Sequence, residues 1–87
     1  MSGSKDVYAT FNERLMEVLE GEGYPRQDMT ASPDGHSFSL MEGIIVDARY
    51  YRVRSHSREA NKTAENLARI LDKKMGLEFE PIYFCEN

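Results

Sequence analysis

One stretch constrains the fold more than any other: residues 57–75, SREANKTAENLARILDKKM. Ala60, Ala64, Leu67, Ala68, Leu71 and Met75 recur at the spacing that lines one face of an α-helix. Asn61, Glu65, Arg69 and Asp72 fall largely on the opposite face. Lys73 and Lys74 occupy the last turn, where cations suit the helix dipole, and Gly76 supplies a stop. A helix with one apolar stripe must bury it against a second layer. The small alanines in this stripe predict a sheet approached closely.

The rest of the chain supplies candidates for that sheet. Residues 6–20 read as a first helix, with Val7, Phe11, Leu15 and either Val18 or Leu19 as its stripe and Tyr8 at its flank. Asp6 stands at the capping position, Gly21 and Gly23 end the helix, and Tyr24-Pro25 exits extended. Residues 27–31 form a short strand candidate of low β propensity. Ser32-Pro33-Asp34-Gly35 predicts a turn. Residues 36–41 then alternate, with Phe38 and Leu40 on one face and Ser37 and Ser39 on the other. Glu42-Gly43 reads as a two-residue hairpin turn.

Residues 44–54 form the strongest strand run. Ile44, Val46, Ala48 and Tyr50 share a face, whereas Tyr51 and Val53 fall out of phase. A bulge near Tyr50-Tyr51 resolves the conflict, and so does a bend that puts the two halves in different contacts. Residues 77–84 are the last strand candidate, with Leu77, Phe79 and Tyr83 pointing one way and Glu78 and Glu80 the other. Pro81 assigns this segment to a sheet edge or a bulge. The expected fold is α+β: a small antiparallel sheet of three to four strands with two helices on one face. The expected order is helix, short strand, strand, strand, helix, strand.

Eighty-seven residues with 40% apolar side chains support one modest core. The expected organisation is a flexible tail over residues 1–5 and a single domain over residues 6–87. Cys85 is the single cysteine, which excludes an internal disulfide and a cysteine-rich zinc site. It reads as a partly buried, inert thiol. No apolar run approaches membrane-spanning length and the chain starts with no hydrophobic secretion segment, so the expected location is cytoplasmic and no membrane partner is expected.

The net charge of −4 is unevenly spread. Residues 1–48 carry three basic against nine acidic side chains, residues 49–74 eight basic against three acidic, and residues 75–87 three acidic alone. The basic middle is either one patch that attracts an acidic partner or a set of charges neutralised by neighbours in space. Signals for catalysis are weak. Neither His36 nor His56 has a partner at metal-ligand spacing, and Asp28, Asp34, Glu42 and Asp47 do not follow a calcium-loop pattern. The glycines form neither a phosphate loop nor a dinucleotide fingerprint. The expectation is a chain that is not an enzyme and uses no metal or cofactor.

Arg49, Tyr50, Tyr51, Arg52 and Arg54 stand out instead, because tyrosine and arginine carry binding energy well at protein interfaces. The expected function is that of a small non-catalytic binding or regulatory protein acting through a protein partner or a second copy of itself. An open edge at residues 77–84 offers one route to a dimer, by strand addition.

A second reading comes from a resemblance. Glu13 lies in the first helix, and Pro33-Asp34-Gly35-His36-Ser37-Phe38 forms a histidine-bearing turn between strands. Asn61-Lys62-Thr63-Ala64-Glu65 and Leu67-Ala68 open the second helix with an alanine-rich face. Over residues 11–71 this arrangement resembles the double-stranded RNA-binding domain. The resemblance implies that Glu13 and the His36 turn touch successive minor grooves while Arg58 and Lys62 touch the phosphates between them. Asn61 and Glu65 stand where that family usually carries lysines, and residues 77–84 lie outside the resemblance. The alternative function is therefore nucleic-acid binding through residues 49–74.

Overall fold

Among the described residues, seven helices and strands follow one another: α1 (Val7–Gly21), β1 (Met29–Ala31), β2 (Ser37–Leu40), β3 (Ile44–Asp47), β4 (Arg52–Ser55), α2 (Arg58–Met75) and β5 (Glu80–Ile82). A single 3-10 turn, Arg26–Asp28, leads into β1. The structure is a computed structural model and describes residues 7–41 and 43–85. Asp6, Glu42 and the tail over residues 1–5 lie outside the described residues.

The strands form one sheet in the order β1-β2-β3-β4-β5. The first four are joined by tight loops and pair antiparallel. β5 pairs parallel to β4, because the chain crosses back through α2 before it re-enters the sheet. The α+β class and the two-helix order stand as expected from the sequence. Two details differ.

Residues 44–54 are not one strand. They are the hairpin β3–β4, with residues 48–51 as its loop and Asp47 opposite Arg52. The phase conflict arises because the alternation restarts after the loop: Val53 returns opposite Val46, on the same face. The sheet therefore has five strands, where three to four were expected, and one of its junctions is parallel. The β2–β3 link also spans three residues, 41–43, since Leu40 pairs with Ile44.

Register explains the layers. Phe38, Val46 and Val53 align across the sheet, as do Met29, Leu40, Ile44 and Ser55, and all seven are buried. Both helices cover this face. α2 contributes Ala60, Ala64, Leu67, Ala68 and Leu71, as its spacing predicts. α1 contributes Leu15, Met16 and Leu19, with Asn12 buried among them. Its buried face is turned slightly from the expected stripe: Phe11 and Val18 are half-buried, and Val7 is 68% exposed. The buried amide of Asn12 has a task, donating from Nδ2 to the Ser37 carbonyl at 3.0 Å and so tying α1 to the start of β2.

α2 is closed at both ends by its own sequence. The Ser57 hydroxyl accepts from the Ala60 amide at 3.2 Å. Gly76 takes the left-handed conformation, φ 69°, and donates to the Asp72 carbonyl at 2.9 Å. A second glycine faces the first turn of α2: Gly43 takes φ 98°, which L side chains rarely adopt, and packs beside the Ala60 methyl and the Ser57 hydroxyl.

Two residues assigned to the polar face of α2 hold β5 in place. An Asp72 carboxylate oxygen accepts from the Phe79 amide just before β5. Just after β5, Asn61 Nδ2 donates to the Phe84 carbonyl at 3.2 Å, and Asn61 Oδ1 accepts the Phe84 amide at 2.7 Å. Among the described residues no helix is long and apolar enough to cross a membrane.

Replacing Leu67, fully buried between α2 and the sheet, with alanine is expected to cost about 2–5 kcal/mol. Ser57→Ala, which removes only the cap, is expected to cost about 1 kcal/mol. Denaturant unfolding of the two variants measures both; equal costs would contradict this ranking.

Candidate functional site

The β3–β4 loop gathers most of the exposed aromatic and basic side chains singled out in the sequence. Asp47 fixes it, with Oδ1 accepting the backbone amides of Arg49 at 2.8 Å and Tyr50 at 3.0 Å. This side-chain turn is a rigid local device, because one carboxylate satisfies two loop amides. Tyr51 closes the loop at φ 56°, a left-handed conformation that costs a non-glycine residue about 1–2 kcal/mol. Its ring packs 5.5 Å from Phe11 of α1 and 5.4 Å from Phe79, centroid to centroid, which holds it there.

The neighbouring side chains form a ladder. The Arg49 guanidinium lies 5.5 Å from the Tyr8 ring centroid and 5.4 Å from that of Tyr50. The Arg52 guanidinium lies 5.6 Å from the same Tyr50 ring. Each contact is within cation–π range and is worth about 0.5–1 kcal/mol at an exposed site. Tyr50 is 58% exposed and Tyr51 40% exposed. Arg49 is exposed and Arg52 half-buried. Neither arginine lies under a helix.

Beside the ladder runs an open groove of about 570 Å³. Tyr50, Tyr51, Phe79 and Pro81 line it together with the carboxylates of Asp72, Glu78 and Glu80. Glu78 and Glu80 are exposed.

The other sequence candidates lie elsewhere. Arg54 shares the uncovered face of the sheet with Arg52 but lies further from the loop, in register with Ile45 and Ile82. Glu13 is paired with Arg26 on the surface at 2.7 Å. His36 follows the β1–β2 loop, where its ring lies 5.1 Å from Tyr8 in an edge arrangement. Its carbonyl accepts the Ala48 amide, so it sits at the same end of the sheet as the ladder. Arg58 and Lys62 lie in the first turns of α2, which begins where β4 ends, at the opposite end. The fourth antiparallel strand produces this separation, because it reverses the direction of the chain once more before α2. The structure thus brings Arg49, Tyr50, Tyr51 and Arg52 together and leaves His36 apart from Arg58 and Lys62.

Cys85 is exposed rather than partly buried, since the chain has left the sheet after Ile82. Among the described residues no cluster of three or more histidine, cysteine, aspartate or glutamate side chains is arranged to hold a metal ion. Tyr8 and Phe79 also belong to this end of the molecule, a grouping that local sequence does not show. Tyr8 had a signal, its place beside the helix stripe, but its arginine partner lies forty-one positions on and no local spacing reveals it.

No protein-family model, no curated protein and no solved structure matches the chain.

The loop before His36 carries one shifted acid. Asp34 Oδ1 accepts from the Ser32 hydroxyl at 2.6 Å and from the His36 amide at 3.0 Å. These bonds favour the carboxylate, the first more than the second, and lower the Asp34 pKa from its ordinary value of 3.8. The associated stability is complete above that value and is lost as pH falls through the lower folded value. Unfolding midpoints measured from about pH 5 to about pH 2 are expected to fall more steeply for the native chain than for Asp34→Asn. Parallel curves would contradict the assignment.

Proposed function

We propose that this chain is a non-catalytic protein-binding module that docks through the β3–β4 loop, with Arg49, Tyr50, Tyr51 and Arg52 as its contact residues. One observation carries the reading: Tyr50 stands out from the surface with two guanidiniums already stacked on it. Long side chains usually lose conformational freedom when an interface forms. Here Asp47, Tyr8 and the Tyr51–Phe79 contact hold the loop and its arginines before any partner arrives. Tyrosine and arginine are also the residues most often found to dominate interface energetics. A regulatory role, exerted by covering a partner's surface, fits a module of this size.

The nucleic-acid alternative draws less support from the geometry. Its basic groups are divided between the loop at Arg49, the open sheet face at Arg52 and Arg54, and the start of α2 at Arg58 and Lys62. A polyanion would have to contact several sides of a small domain at once, and the net charge of −4 opposes its approach.

A photo-crosslinking residue in place of Tyr50, used in extract from the native cell, tests the proposal. The expected product is a discrete protein adduct that falls at least about tenfold when Arg49 and Arg52 are both changed to alanine. The adduct is expected to persist when Arg58 and Lys62 are changed instead. Duplex RNA titrated at low salt is expected to show no binding. RNA binding that weakens steeply with added salt, or an adduct indifferent to Arg49 and Arg52, overturns the proposal.

A further inference from the structure

The groove beside the ladder has a chemistry of its own. Its floor is Phe79, 4% exposed, and its wall is the Tyr51 ring, which packs against it. Pro81 lines the groove at the sheet edge. Glu78 and Glu80 stand at its rim, and neither has a basic side chain within ion-pairing distance among the described residues. The third carboxylate, Asp72, is occupied by the Phe79 amide. Arg52, the register partner of Glu80 on β4, leans on Tyr50 instead of closing on that carboxylate. Tyr50 and Tyr51 both line the groove and both keep exposed surface, Tyr50 with two guanidiniums over its ring and Tyr51 with Phe11 and Phe79 beside it.

An aromatic wall beside two carboxylates without cationic partners is complementary to one kind of side chain. A guanidinium stacks on a ring with its plane and donates from its edge to carboxylate oxygens, so a single group satisfies both features. An ammonium offers the charge without the planar stack. The open groove, partly lined by Phe79, Pro81 and the tyrosine rings, admits the apolar stem of such a side chain from solvent.

We propose that this groove is the docking site for an arginine side chain carried on an extended segment of a partner protein. The proposal goes beyond the binding role of the β3–β4 loop and does not rest on it. If both hold, one partner presents an arginine to the groove and an acidic or aromatic surface to the ladder. The alternation of charge across this end of the molecule would then fix the orientation of the partner.

A short acetylated glycine-rich peptide with one central arginine is the probe, titrated against the isotopically labelled full chain by NMR. The control is the same peptide with citrulline, which keeps the shape and removes the charge. The arginine peptide is expected to give saturable shifts centred on the amides of Tyr51, Phe79 and Glu80. The citrulline peptide is expected to bind about fivefold more weakly or worse, and the E78Q/E80Q chain to bind the arginine peptide about three- to tenfold more weakly. Both glutamates are exposed, so the variant keeps its fold, which its unperturbed spectrum away from the groove verifies.

The R49A/R52A chain disables the ladder and removes two cations near the groove. It is expected to bind the arginine peptide at least as well as the native chain, which separates failure of the ladder from failure of the groove. Equal binding of the arginine and citrulline peptides overturns the proposal. So do shifts centred elsewhere, the absence of a saturable shift, or loss of binding in the R49A/R52A chain.

Discussion

Packing of the alanine-rich stripe of α2 against β4 and its neighbours is the contact on which the rest of the structure depends. Ala60, Ala64 and Ala68 bring the helix axis close to the sheet, and Leu67 and Leu71 fill the space between. Closeness has a consequence beyond core density. It puts the helix's polar flank within hydrogen-bonding reach of the segment that follows it. Asp72 and Asn61 then grip the chain on either side of β5, by backbone groups and not by side-chain contacts. A three-residue strand interrupted by proline has little stability of its own. Bracketed from α2, it completes the sheet and supplies Phe79 to the aromatic cluster.

The same bracket shapes the sheet edge. Glu80 donates its amide inward to the Tyr51 carbonyl, so Pro81, the next residue, turns its missing donor to the outside. The Phe79 amide is taken by Asp72. The outer edge of β5 therefore offers few donors to an incoming strand, a common way of blunting an edge. Side chains, more than backbone pairing, are what this end of the molecule presents.

Much of the fold is legible in the residues. The spacing of α2, its terminal lysines and its glycine stop act locally, and each appears where its physics places it. The turn at Ser32-Pro33-Asp34-Gly35 is likewise a local device, with its serine and aspartate bonded to each other. What was hidden depended on distance along the chain. Arg49-Tyr50-Tyr51 carries no glycine or proline, so the β3–β4 loop does not announce itself. It is imposed by Asp47 capping two amides and by Tyr51 accepting a strained conformation in exchange for ring contacts with Phe11 and Phe79. The parallel pairing of β5 was hidden for the same reason, since it is decided by the helix that precedes it. At the candidate site the residue types were visible early, while their grouping was not: Arg52 and Arg54 share the uncovered face of β4, yet only Arg52 reaches the Tyr50 ring.

On this structure the folded chain itself holds Arg49 and Arg52 against the Tyr50 ring. Nitrogen-15 relaxation of the Nε–H groups of Arg49 and Arg52, with Arg54 as an internal comparison, measures this directly. Stacked guanidiniums should give order parameters for Arg49 and Arg52 near the rigid-backbone level of about 0.85, with Arg54 clearly lower. Values for Arg49 and Arg52 below about 0.6, no different from Arg54, would mean that no such surface is organised in advance.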